Sequence, residues 1–181
     1  MRELSLHLID IAENGIAAGA DLITIKVSER EKDNLMEIAI ADNGRGIPSA
    51  LLEKVADPFF TTKTTRRIGL GLSLFQDAAT RCEGEFHIRS EEGKGTEVSA
   101  SFKLDHIDLA PLGDMAGSIS CLIMGNPGVD FSYAHEINGE SFIMDTRDIR
   151  KELDDVAINT PEVIRWIMNT INDSLKSLKS G

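Results

Sequence analysis

Asp10 and Asn14 stand four residues apart in the opening segment LHLIDIAENGIA, so on a helix a carboxylate and a carboxamide share one face. His7 and Ala17 continue that stripe. Farther on, DNGRGI places Asp42 ahead of Gly44, Gly46 and Ile47, and glycine lets another group approach the backbone without a Cβ in the way. The segment DPFFTTKTTRRIGLGL then gathers Lys63, Arg66 and Arg67 before Gly69 and Gly71 open a helix. Free N–H groups at a helix start are suited to anions. Each feature also has a plain reading: a solvated helical Asn, a DNG turn, a solvated cationic loop.

The elements that must hold these residues can be read from periodicity. Leu4, Leu8, Ile11, Gly15 and Ala18 form an apolar stripe at helical spacing, ended by Gly19. Two alternating strands follow, with Ile23, Ile25 and Val27 on one face of the first and Met36, Ile38 and Ile40 on one face of the second. The charged residues 29–34 connect them as a hairpin. One apolar face per strand predicts a sheet covered by helices on one side. Pro48 opens a short helix to about Val55. Leu72, Phe75, Ala79 and Cys82 mark a longer helix with Gly84 as its C-terminal cap. Residues 85–90 and the segment TEVSASFKL are strands about an EEGKGT turn.

Beyond Asp105 the spacing predicts a connector LAPLGDMAG, a hairpin of SISCLIM and VDFSYAHEI about GNPG, and a third strand GESFIMD. Helices over about 146–156 and 161–178 complete the chain, the second with an apolar stripe of Val163, Ile164, Ile167, Ile171 and Leu175.

The chain has 181 residues, 41% of them hydrophobic, enough for one sizeable domain with an appendage. Thirty acidic against nineteen basic residues give a net charge of -11, which argues against nucleic-acid binding and against an anionic membrane surface. An anionic ligand therefore needs local help from a cation or a helix N-terminus. Cys82 and Cys121 lack metal-ligand spacing and read as buried small hydrophobes of a reducing compartment. The charged N-terminus has no apolar signal core, and the apolar run near 119–124 is too short to span a bilayer. These features point to the cytoplasm.

Four pieces in order, IDIAENGIAAGA, DNGRGI, DPFFTTK with GLGLSL, and EGKGTEVSASF, resemble the signature boxes of the GHKL (Bergerat-fold) ATPase superfamily. That group includes histidine kinases, DNA gyrase, MutL and heat-shock chaperone ATPases. The resemblance spans about residues 3–104 and implies an α+β fold. The expected form is a two-layer α/β sandwich of the histidine-kinase-like ATPase type, with a mixed sheet and helices on one face. It divides the chain into an ATP-binding domain over 1–104 and an extension over 105–181, expected as ββ(β)αα.

The resemblance also implies ATP and Mg2+ as ligands. It makes Asn14 the magnesium ligand and Asp42 the acceptor for the adenine amino group. Gly44, Gly46, Ile47 and Thr96 would line the base. Phe59, Phe60, Thr61, Lys63, Arg66 and Arg67 would form a lid, and Gly69, Leu70, Gly71 and Leu72 the phosphate-facing helix start. In hydrolytic members a carboxylate near Asp10 activates water; in many histidine kinases that position is an amide, so Asp10 leaves hydrolysis and water-mediated metal contact both open. The phosphoacceptor is expected on a partner protein, because no His sits in a convincing acceptor helix; the pair His135–Glu136 falls in a strand-like segment. The readings carried forward are phosphotransfer in trans, a slow ATPase or ATP-gated switch, and an anti-sigma-type serine kinase. The extension, with thirteen acidic and six basic side chains, is expected to extend the sheet or contact a protein, with homodimerisation through the last helix also open.

Overall fold

The computed structural model describes residues 3–55 and 69–181. Its elements run α1 (Leu4–Ala17), β1 (Leu22–Arg30), β2 (Leu35–Asp42), α2 (Ser49–Val55), α3 (Gly69–Arg81), β3 (Phe86–Glu91), β4 (Gly95–Lys103), α4 (Met115–Gly125), β5 (Asp130–Ile137), β6 (Glu140–Asp145), α5 (Thr146–Leu153) and α6 (Pro161–Ser180). The strands form one mixed sheet in the order β3-β4-β2-β1-β5-β6, with β1 and β5 parallel and the other pairs antiparallel.

Register explains why the core lies on one side. Ile25 faces Ile40 and Tyr133, Val27 faces Ile38 and His135, and Ile40 faces Val98. Side chains alternate across a strand, so this pairing gathers all inward positions on one face. Against it pack Leu4, Leu8 and Ile11 of α1, Phe75 and Ala79 of α3, Ile119 and Ile123 of α4, and Ile167 and Ile171 of α6. This is the expected arrangement of a mixed sheet with helices over one face.

The segment SISCLIM is not a strand. It lies inside α4, whose buried residues Met115, Ala116, Ile119, Leu122 and Ile123 recur at helical spacing. Asp114 caps that helix by accepting from the Gly117 N–H at 2.8 Å. The strand reading placed Asp114 and Met115 in a connector and so lost both the cap and the first turn. The extension is therefore αββαα. Cys121 lies exposed on α4, correcting its reading as buried; Cys82 is buried as expected. The cap of α3 also differs: Glu83 takes the left-handed conformation, with φ of 53°, while Gly84 bonds back to the Ala79 carbonyl at 2.9 Å.

The extension is continuous with the rest. β5 pairs along β1 from Leu22 to Glu29. α1 has no side-chain cap, and its N–H groups at Leu4 and Ser5 donate instead to the carbonyls of Pro111 and Leu112, at 3.0 and 2.8 Å. A buried polar row secures the β1–β5 seam: Tyr133 Oη meets His135 Nδ1 at 2.7 Å, and His135 Nε2 meets Glu29 Oε1 at 2.8 Å. The His135 bond holds the Glu29 carboxyl below its ordinary pKa.

Fully burying a large apolar side chain contributes about 1.5–3 kcal/mol, against a net stability of about 5–15 kcal/mol for a whole domain. Phe131, Tyr133, Ile119, Ile123, Ile167 and Ile171 all come from the extension. A fragment of residues 1–106 should therefore fail to unfold cooperatively in denaturant or to stay soluble. A fragment with a sharp transition matching the full chain would overturn this reading.

Candidate functional site

The site begins where α1 meets the end of β2. Gly15 makes that meeting possible: a Cβ on it would lie 2.6 Å from Asp42 Cβ and 2.9 Å from Ile23 Cδ1. Nothing larger than hydrogen fits there, so α1 lies directly against the strand that carries Asp42. The sequence reading placed Gly15 on the buried stripe and missed this role; the glycine directly after Asn14 was its signal.

Asp42 sits at the helix-covered end of a row across three strands, facing Thr96, which in turn faces Ser90. Its Oδ1 accepts from the Gly44 N–H at 2.8 Å. Burial pushes the Asp42 carboxyl above its ordinary pKa, against the pull of backbone bonds from Gly44 and Thr96. Ser90 is a second residue that sequence reasoning missed. Its hydroxyl donates to the Gly95 carbonyl at 2.9 Å and accepts from the Ile47 N–H at 2.7 Å. With its one proton so used, the 2.8 Å contact to Thr96 Oγ1 is a bond that Thr96 donates. Only strand pairing brings Ser90 to Ile47, so local pattern had no access to it.

Two cavities open beside this row. A narrow one is lined by Ile11, Asn14, Gly15, Ala18, Asp42, Arg45, Gly46, Ile47, Leu72, Thr96 and Val98. It is mainly apolar at the walls, with the Asp42 carboxylate and Thr96 as polar groups. Gly46 closes its rim with φ of 70°, and a Cβ there would collide with the Glu91 carbonyl at 2.1 Å. The second, wider cleft of about 600 Å³ is lined by Asp10, Glu13, Asn14, Ile16, Ala17, Gly71 and Asn126.

Asn14 borders both cavities, and its Nδ2 is buried without a hydrogen-bond partner. Carboxamide ends interchange readily, so one polar end of Asn14 awaits a ligand atom. Asp10 flanks the wide cleft against Gly71, whose Cβ, if present, would stand 3.0 Å from Asp10 Cβ. Helix α3 starts at Gly69, just ahead of that contact.

The structure thus brings together Asp10, Asn14, Asp42, Gly44, Gly46, Ile47, Gly71, Leu72 and Thr96, while Gly69 and Leu70 form the start of α3. Phe59, Phe60, Thr61, Lys63, Arg66 and Arg67 lie outside the described residues. Among the described residues, no group of three or more His, Cys, Asp or Glu side chains is placed to hold a metal ion. A bound cation would need Asn14, water and the ligand's own oxygens. No helix among them is long and apolar enough to cross a membrane.

The fold is of the Bergerat type. Residues 1–106 match the family model described as histidine kinase-, DNA gyrase B-, and HSP90-like ATPase, and the chain belongs to that family. It is 33% identical over 109 residues to a putative sensor protein of Shewanella frigidimarina, covering 60% of this chain and 16% of that protein. It is 35% identical over 105 residues to the sensor protein kinase FleS of Pseudomonas aeruginosa, covering 58% of this chain and 25% of that one. With sporulation kinase A of Bacillus subtilis the identity is 29%, over 55% of this chain and 16% of the kinase. The chain thus spans a quarter or less of the length of these relatives.

Two solved structures share the fold over 80% of the chain. The N-terminal domain of a DNA repair protein aligns with a TM-score of 0.55 at 16% identity, over 53% of its own length. The Aquifex aeolicus MutL ATPase domain complexed with ADP aligns with a TM-score of 0.50 at 15% identity, over 63% of its length.

Gly15→Ala should strain the α1–β2 contact by about 1–3 kcal/mol and weaken nucleotide affinity about tenfold or more. Calorimetric titration with ADP checks this, and unchanged affinity would contradict the role given to Gly15. Asp42→Asn should separate binding from stability. A carboxyl with a raised pKa costs stability once pH exceeds that pKa, so the neutral variant should melt no lower than the parent at pH 7 while binding adenine nucleotide far more weakly. In the parent, affinity should fall as acid protonates Asp42, starting at a higher pH than an ordinary aspartate would show.

Proposed function

We propose that this chain binds ATP with magnesium and transfers the terminal phosphoryl group to a partner protein. The observation that carries the reading is Asn14, a buried carboxamide with an unsatisfied end shared by a carboxylate-tipped slot and a wide polar cleft. In this reading Asp42 accepts from the exocyclic amino group of adenine. Guanine presents a carbonyl at that position, which would leave the half-buried carboxylate unpaired, so ATP is preferred to GTP. Thr96, Gly44, Gly46, Ile47 and Leu72 wall the base, and Asn14 lends its oxygen to the metal.

Magnesium takes oxygen ligands and retains several waters, so one protein ligand beside the phosphates suffices. When bound, it would offset phosphate charge in this acidic chain. Backbone N–H groups from Gly69 to Gly71 face the phosphates. Phe60, Thr61 and Lys63 are assigned to the lid on sequence alone. The setting is the cytoplasm.

Transfer of phosphate is supported by the sensor and sporulation kinases among the relatives, and the four histidines of this chain are placed as follows. His135 is buried with both ring nitrogens bonded, and Glu136 projects to the opposite face of β5. His7 is buried, its ring 5.6 Å from that of Phe75, and burial lowers its pKa. His87 lies in β3 beside Glu85, and His106 in a loop. None stands on an exposed helix as an acceptor.

A second reading, a slow ATPase or ATP-gated switch, rests on Asp10. It lines the wide cleft one turn from Asn14, where a carboxylate can take a proton from attacking water. The anti-sigma-type serine kinase shares the fold and differs in its acceptor.

Radiolabelled ATP distinguishes these readings. Label on a partner His supports the first, label on a partner Ser the serine kinase, and free phosphate alone the ATPase. Asn14→Ala should remove magnesium-dependent binding, and parental affinity in that variant sinks the site assignment. If hydrolysis occurs, Asp10→Asn should slow it by about 100-fold or more with affinity nearly unchanged.

A further inference from the structure

Helix α6 carries a second face that the fold does not use. Val163, Ile167 and Ile171 are buried over the sheet. On the opposite side Glu162, Arg165, Trp166, Asn169, Asp173 and Lys176 recur three and four residues apart, and all are exposed. Trp166, the single tryptophan of the chain, is 55% exposed there. Among the described residues, none of the four charges on this face is ion-paired. Charges elsewhere on the surface differ: Arg30, Lys94, Lys103, Arg147, Arg150 and Lys151 each meet a carboxylate.

The four charges are disposed symmetrically about Asn169. Glu162 and Lys176 stand seven residues before and after it, and Arg165 and Asp173 four residues before and after. Turning the helix end for end about Asn169 exchanges each charge for one of opposite sign. A second copy of α6 laid antiparallel on this face sets Glu162 against Lys176 of that copy and Arg165 against its Asp173, and the two-fold axis repeats both pairs. A parallel copy in register sets like charge against like. Trp166 lies three residues from the axis, roughly 4.5 Å along the helix. One indole from each copy thus covers the middle of the contact, where aromatic side chains contribute most to an interface.

We propose that this face of α6 is a homodimer interface, in which two chains pair α6 antiparallel about a two-fold axis at Asn169. A two-fold contact uses the same patch on both copies and so must be self-complementary, as this charge pattern is. The inference does not depend on the nucleotide reading: none of the six residues lines the slot or the wide cleft. A contact of roughly four helical turns is smaller than a standard protein interface, so the dimer is weak and sensitive to salt.

The test exchanges charges across the axis. The full chain is followed by sedimentation equilibrium from about 1 to 500 µM at low salt. The parent should dimerise, and added salt should weaken the dimer. Arg165→Asp sets two carboxylates against each other, and Asp173→Arg two guanidinium groups, so each should weaken dimerisation about tenfold or more. Both changes in one chain restore pairs of opposite sign at unchanged net charge, and the dissociation constant should return to within about threefold of the parent. A loss caused by misfolding would persist in that double variant. A parent that stays monomeric over the whole range leaves the face to solvent or to a different protein and overturns the proposal. So does a dimer that neither single change weakens, or one that the double change does not restore.

Discussion

The close approach of α1 to the end of β2 is the contact on which the site depends. It exists because residue 15 has no side chain, and it brings Asn14 on the helix to within one cavity of Asp42 on the strand. The carboxylate, half-buried by that approach, has its pKa raised chiefly by loss of solvent. Such a group is costly to the free protein and useful to a ligand that can hydrogen-bond it. The remainder of the local structure supports this one juxtaposition: Thr96 and Ser90 in register beside Asp42, Gly46 at the rim, and Gly71 admitting Asp10 to the neighbouring cleft.

The C-terminal residues are part of the same architecture. β5 lies along β1, the connector receives the first N–H groups of α1, and α4 and α6 bury apolar side chains over the sheet. The helix that carries Asp10 and Asn14 is thus braced on one flank by α3 and on the other by α4. This arrangement gives the acidic extension a physical relation to the cleft that its composition did not suggest. It also accounts for the fold-level likeness to two larger solved domains over more of the chain than the family-matched residues.

Much of the fold was legible because alternation and helical spacing are local. β1, β2, β4, β6, α1, α3, α5 and α6 follow from apolar residues recurring every second or every third and fourth position. α4 was misread where a continuous apolar run satisfied both periods, and the deciding signal, the Asp114 cap, lay just outside it. The α3 terminus was misplaced by one residue because a glycine nearby is a stronger textual sign than a glutamate in the left-handed region.

The candidate site divides along the same line. The resemblance of four ordered segments to the GHKL boxes proposed Asp10, Asn14, Asp42, the loop glycines and Thr96 as a set, since these segments are short and their order is visible in the chain. Gly15, Ser90 and Asn126 came only from the tertiary structure. Their roles depend on a helix touching a strand, on strands pairing in one register, and on a late loop returning to an early helix. Those contacts join residues far apart in sequence, and no local periodicity encodes where two distant segments will meet.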